Sequence, residues 1–79
     1  MGLKSIETVI AELREELSSL TDKMEKLGDF LQSDAKEHIT ITQFNLLTSQ
    51  CQAMTAYAFV LELRIRDLEE QTQLTKENT

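Results

Sequence analysis

Residues 40–74, TITQFNLLTSQCQAMTAYAFVLELRIRDLEEQTQL, predict a helix that is apolar on two faces, and the rest of the fold follows from it. The first stripe recurs at alternating steps of three and four residues and consists of Phe44, Leu47, Cys51, Met54, Ala58, Leu61, Ile65 and Leu68. The second stripe lies on a different face and consists of Leu46, Ala53, Ala56, Val60 and Leu63, with Phe59 beside it. Because one partner helix covers only one stripe, the sequence predicts that another copy or another molecule covers the second.

The residues before this stretch predict a first helix with a single apolar seam. The seam follows the heptad spacing and consists of Leu3, Ile6, Ile10, Leu13, Leu17, Leu20, Met24, Leu27 and Leu31. Ser5 is a candidate N-cap, so we expect helix one over about residues 5–31. The polar residues 32–39 predict the connecting loop.

Thr40 followed by Gln43 fits a capping box and predicts the start of helix two. The apolar pattern fades after Leu68, so we expect helix two over about residues 40–72 and a frayed tail over 73–79. Two long helices joined by a short loop predict an all-α, coiled-coil-like antiparallel hairpin as a single domain over residues 1–79. The second stripe predicts that this hairpin assembles into a homo-oligomer.

Composition excludes several classes of protein. A chain of 79 residues with 41% hydrophobic content has a marginal core as a monomer, which oligomerisation remedies. A single cysteine allows no internal disulfide, and no apolar run reaches the length of about 18 residues that a membrane span needs. We therefore expect a soluble, cytoplasmic protein. The net charge of −6 opposes binding to polymeric nucleic acid but leaves a small anion possible as a ligand.

The sequence offers poor material for catalysis. His38 stands alone in the predicted loop, and Cys51 falls on the first stripe, where a small buried side chain is expected. With Gly2 and Gly28 as its only glycines, the chain has no glycine-rich phosphate loop. We expect no enzymatic activity, no metal site and no cofactor.

Two pairs of residues combine an aromatic ring with a nearby cation. Tyr57 lies about two helical turns from Arg64, and Phe30 follows Lys26 by four residues. A ring that stacks on a base and a cation that neutralises a phosphate are what a nucleotide ligand requires. The alternative is that both rings only pack within the hairpin and the oligomer interface, and that the cations are solvent-exposed surface residues.

The segments KLGDFLQS, residues 26–33, and LLTSQCQAMTAYAFVLELRIRDLEE, residues 46–70, carry a resemblance to a known family. They resemble the small phage helical-hairpin family of anti-CBASS cyclic oligonucleotide sponges, and a related hairpin occurs in anti-Thoeris sponges. The matching features are a phenylalanine closing helix one, a leucine pair, Gln-x-x-Met, a tyrosine one turn later and an arginine near the end. In this chain they correspond to Phe30, Leu46 and Leu47, Gln50 or Gln52 leading to Ala53 and Met54, Tyr57 and Arg64.

The resemblance implies a function in immune evasion. A phage protein of this kind is a homo-oligomer, a hexamer in the studied members, that acts in the host bacterial cytoplasm. It sequesters cyclic di- or trinucleotide messengers without destroying them. The resemblance also implies pockets shared by neighbouring hairpins, in which Phe30 or Tyr57 stacks on a base and Lys26 or Arg64 meets a phosphate. The alternative function is that of a structural or adaptor hairpin, whose exposed stripe docks a protein partner and which has no small-molecule site.

Overall fold

A computed structural model describes residues 4–77, with side chains to residue 74. Helix α1 spans Ile6–Gln32, a 3-10 helix spans Asp34–His38, and helix α2 spans Ile41–Glu77. Ion pairing of Arg14 near the start of α1 with Glu69 near the end of α2 shows that the two helices are antiparallel. The hairpin is 59 Å long and 16 Å thick. The predicted all-α hairpin is confirmed, and residues 4–77 contain no strand.

Side-chain caps fix the start and the end of α1. The Ser5 hydroxyl accepts a hydrogen bond from the Thr8 backbone N–H at 3.1 Å, as the sequence predicts for an N-cap. At the other end, the backbone N–H and the hydroxyl of Ser33 both donate to the Phe30 carbonyl, at 3.1 and 2.8 Å. The Ser33 hydroxyl also accepts from the Ala35 N–H at 3.2 Å. The predicted loop therefore contains a capped 3-10 helix.

Helix α2 begins as predicted but ends later. The Thr40 hydroxyl accepts from the Gln43 backbone N–H at 3.1 Å, which confirms Thr40 as the N-cap. Within the described residues, the Gln43 side chain makes no return hydrogen bond to the Thr40 N–H, so the predicted capping box is only half formed. Helix α2 continues to Glu77, five residues beyond the predicted end near residue 72. The side chain of Gln71 donates to Asp67 at 2.8 Å, one turn apart, and no glycine or proline interrupts the segment. The helix thus continues beyond the last residue of the apolar pattern. The rest of the predicted tail, residues 78–79, lies outside the described residues.

The first stripe of α2 and the seam of α1 form the core, as predicted. Leu13, Leu61 and Ile65 make up the buried cluster. Partly buried apolar residues pack against this cluster: Val9, Ile10, Leu17, Leu20 and Leu68. Every residue of the first stripe is buried or partly buried, and so is every seam residue between Ile6 and Leu31. Leu3, the first seam residue, lies outside the described residues.

The second stripe is exposed. We call it the outer stripe: Leu46, Ala53, Ala56, Phe59, Val60 and Leu63. Its large side chains are 41–59% exposed. The sequence carries a further signal here, since residues 39–61 contain no charged side chain although α2 is open to water along this face. The hairpin by itself therefore leaves a long uncharged apolar face uncovered. Within the described residues, neither helix is long and apolar enough to cross a membrane.

Candidate functional site

Tyr57 and Arg64 lie together on one side of α2. The Tyr57 side chain is 46% exposed, and its hydroxyl donates a hydrogen bond to the Glu16 carboxylate on α1. Arg64 is exposed, and it forms no ion pair within residues 4–74. Seven residues separate the two, which places the guanidinium on nearly the same side of the helix about 10 Å along its axis. The ring and the cation predicted as a pair do share a surface.

Lys26 and Phe30 lie near the end of α1. Phe30 is partly buried, and its carbonyl accepts the two Ser33 hydrogen bonds that end the helix. The Lys26 ammonium is 3.4 Å from the Asp22 carboxylate, and both side chains are mostly exposed. An exposed pair one turn apart contributes about 0.3–0.5 kcal/mol, so Lys26 is readily released to a ligand.

One hairpin does not bring the two pairs together. The hydrogen bond between Tyr57 and Glu16 shows that these two residues lie at the same position along the long axis of the hairpin. Phe30 lies 14 residues beyond Glu16, which is about 21 Å along the helix axis. Those 14 residues are nearly four full turns, however, so Phe30 and Glu16 lie on the same side of α1. The rings of Tyr57 and Phe30 therefore lie on the same flank of the hairpin but at different positions along its axis.

The structure adds Lys23 to the candidate residues. Lys23 is seven residues from both Glu16 and Phe30, so it lies on the same side of α1 between them. It is exposed and forms no ion pair in the described part of the chain, whereas Lys26 forms a weak surface pair with Asp22. The spacing of seven residues between Lys23 and Phe30 is the sequence signal that could have identified Lys23. We call the surface formed by Glu16, Lys23, Phe30, Tyr57 and Arg64 the Tyr57 flank.

The opposite flank contains open clefts that do not suit an anion. One cleft, of about 380 Å³, is lined by Glu7, Arg14 and Glu69 among others, and a neighbouring one by Arg14, Glu62, Arg66 and Glu69. The Arg14 guanidinium is already paired with the Glu69 carboxylate. Arg14 lies two residues from Glu16, which places it about 200° around α1 from the Tyr57 flank. None of the four predicted site residues lines these clefts.

The described residues contain no cluster of three or more His, Cys, Asp or Glu side chains that could hold a metal ion. Cys51 is partly buried on the core side of α2, and His38 is exposed at the end of the 3-10 helix. The chemistry that the Tyr57 flank offers is stacking on two rings and charge-assisted hydrogen bonding from two or three cations.

Comparison with known proteins gives one result. The model of the family described as Sequestin matches residues 7–67, which is more than half of the chain. This range covers all of the outer stripe and all of the Tyr57 flank. No curated protein and no solved structure matches the chain.

Proposed function

The chain belongs to the Sequestin family, a name that indicates sequestration, and we propose that it is a phage-encoded sponge for cyclic oligonucleotide immune messengers. It binds the messenger without cleaving it and thereby blocks bacterial anti-phage signalling in the host cytoplasm. The sponge is a homo-oligomer assembled through the outer stripe, and the family resemblance favours a hexamer.

The observation that carries this proposal is the composition of the Tyr57 flank. Two aromatic rings, Phe30 and Tyr57, lie on it with the cations Lys23 and Arg64, which have no ion pair within residues 4–74. Stacking of a base on an aromatic ring contributes about 1–3 kcal/mol, and a charge-assisted contact binds a phosphate oxygen more strongly than a neutral donor does. These are the two interactions that a cyclic nucleotide requires.

The charge of the chain narrows the ligand class. With a net charge of −6, the molecule repels a polymer whose binding relies on neutralising many phosphates. A cyclic di- or trinucleotide carries only two or three phosphates, so two or three well-placed cations suffice. The proposed ligand is therefore a small cyclic nucleotide, and we do not expect the protein to bind polymeric DNA or RNA.

Thermal shift measurements test the ligand class directly. The panel contains cyclic di-GMP, cyclic GMP-AMP, cyclic tri-AMP and cyclic ADP-ribose isomers. A compound present at 100 times its dissociation constant stabilises the fold by about 2.7 kcal/mol, which raises the melting temperature measurably. The bound compound is then released by heat and analysed by mass spectrometry. We expect it to be intact, and a linearised product would contradict binding without turnover.

Charge reversal tests which cations bind the phosphates of the ligand. Lys23→Glu and Arg64→Glu are expected to abolish the thermal shift while leaving the oligomer formed, because both side chains are exposed and neither forms an ion pair within residues 4–74. Lys4→Glu is the matched control, since it makes the same change in net charge at the far end of α1, where Lys4 pairs with Glu12 on the surface. Undiminished binding in both site variants would mean that other residues hold the ligand.

The alternative, an adaptor that docks a protein partner, is favoured by the exposed outer stripe alone. It predicts no thermal shift from any panel compound and a chain that remains a monomer in isolation. Light scattering together with the panel therefore separates the two functions.

A further inference from the structure

We propose that Glu16 is a specificity residue of the Tyr57 flank, and that its carboxylate accepts a hydrogen bond from a free ribose hydroxyl of the nucleotide whose base stacks on Tyr57. This contact makes the protein selective for ribonucleotides over their deoxy analogues. The role of Glu16 rests on the proposed function, since it requires a nucleotide on the flank.

Glu16 has an acceptor to spare. One carboxylate oxygen, Oε2, accepts the hydrogen bond from the Tyr57 hydroxyl. The other oxygen, Oε1, accepts no hydrogen bond within residues 4–74, and the exposed carboxylate forms no ion pair there. An ionised carboxylate has about four lone-pair sites and acts only as an acceptor. Glu16 can therefore bind a hydrogen-bond donor of a ligand while it still holds Tyr57.

The negative charge of Glu16 needs an explanation on a surface that offers cations to phosphates. A carboxylate repels a phosphate, so it weakens the binding of an anion unless it contacts another part of the ligand. Holding Tyr57 does not require the charge, because a neutral amide oxygen also accepts from a hydroxyl. A hydrogen bond to an ionised acceptor is about twice as strong as one between neutral groups, however. The charge of Glu16 therefore indicates a donor on the ligand.

The two cations without an ion pair on this flank approach Glu16 from opposite ends of the hairpin. Arg64 lies seven residues after Tyr57 on α2, and Lys23 lies seven residues after Glu16 on α1. Long side chains of a helix point toward its N-terminus. Because the helices are antiparallel and Tyr57 contacts Glu16, we expect the two cations to point toward the same place from opposite directions. Phosphates bound there lie next to Glu16.

The direction of the Tyr57 hydrogen bond favours the sugar over the base as the donor. A phenolic hydroxyl donates close to the plane of its ring, so a linear hydrogen bond keeps the Glu16 carboxylate near that plane. A base stacked on the ring lies in a parallel plane about 3.5 Å away, and the donors on its edge point along that plane. The ribose stands roughly perpendicular to its base, so its hydroxyls extend toward the plane of the ring. Carboxylates bind ribose hydroxyls in dinucleotide-binding proteins.

The groups of the flank then follow the order of the groups in a ribonucleotide. The base stacks on the Tyr57 ring, and the ribose hydroxyl donates to Glu16 beside that ring. The phosphates attached to the ribose meet Lys23 or Arg64. A deoxyribonucleotide presents a C–H group to the carboxylate in place of the hydroxyl, so the protein binds it more weakly.

Matched pairs of ligands test the ribose contact. The probes are the panel compounds and their deoxy analogues, in which hydrogen replaces the free ribose hydroxyls, and calorimetry measures each dissociation constant. For the wild type, we expect each deoxy analogue to bind roughly 10- to 100-fold more weakly than its ribonucleotide, because one charge-assisted hydrogen bond is lost. For Glu16→Ala, we expect this ratio to fall to about one, since neither compound then has the contact.

Two further variants separate this role from a structural one. Tyr57→Phe keeps the ring and removes its hydrogen bond to Glu16, so it should change the affinity for both members of a pair alike and leave their ratio as in the wild type. Glu15→Ala is the matched control for charge, because it removes an exposed carboxylate that points about 100° away from Glu16 around α1. It should also leave the ratio unchanged. Far-UV circular dichroism checks that each variant is folded.

The outcomes distinguish this role from the proposed function. A wild type that binds no panel compound would reject the cyclic nucleotide, and the ribose contact with it. Equal binding of a ribonucleotide and its deoxy analogue by the wild type would keep the function and overturn the role of Glu16. A ratio that persists in Glu16→Ala would assign the hydroxyl to another residue. A ratio lost in both Tyr57→Phe and Glu16→Ala would mean that Glu16 only positions the ring.

Discussion

Two leucines two residues apart on α2 offer a direct test of which face forms the core. The Leu61 side chain has no exposed surface and packs in the cluster with Leu13 and Ile65, whereas Leu63 on the outer stripe is 41% exposed. Leu61→Ala removes three fully buried carbons at about 0.8 kcal/mol each, which lowers the free energy of unfolding by about 2.4 kcal/mol. An unfilled cavity adds to this value, so we expect a loss of about 2.5–4 kcal/mol. For a small hairpin this is a large share of the total stability.

Leu63→Ala is the matched control, because it makes the same chemical change in the same helix. In the isolated hairpin it removes less buried surface and leaves no enclosed cavity, so the expected loss is about 1 kcal/mol. Urea denaturation followed by far-UV circular dichroism measures both losses at low and at high protein concentration. The loss for Leu63→Ala should grow with concentration if the outer stripe is buried between copies. Equal losses for the two variants at low concentration, or a loss below about 1 kcal/mol for Leu61→Ala, would refute the assignment of the core.

Three further changes test other parts of the fold. Gly28→Ala should raise the free energy of unfolding in urea by about 0.5–1 kcal/mol, because an added Cβ meets no atom within 4 Å; a decrease would reveal a close contact in the assembly. Thr40→Ala removes the acceptor of the Gln43 N–H and should lower that free energy by about 1 kcal/mol; an unchanged urea midpoint would show that the cap is dispensable. Val60→Glu should convert the oligomer into monomers by light scattering, whereas Ser18→Glu, on exposed α1 surface, should not.

The two helices and the residues at which they begin were predictable from the sequence, because these features are local. The heptad seam and the first stripe each specify one apolar face, and a hydroxyl at the N-cap position specifies where each helix begins. The exposed outer stripe was predictable for the same reason. The end of α2 was not, since the backbone hydrogen bonds that extend the helix to Glu77 do not depend on the apolar pattern that fades after Leu68.

Which residues of α1 lie beside which residues of α2 depends on how the two helices pack and is known from the three-dimensional structure. A heptad seam repeats, so shifting one helix by seven residues gives a similar apolar pattern, and the sequence does not distinguish the shifted pairings. The packing of Leu13 against Leu61 and Ile65 selects one of them. That register sets Tyr57 beside Glu16 and thus well away from Phe30, a separation that depends on contacts between distant parts of the chain and that no local pattern encodes.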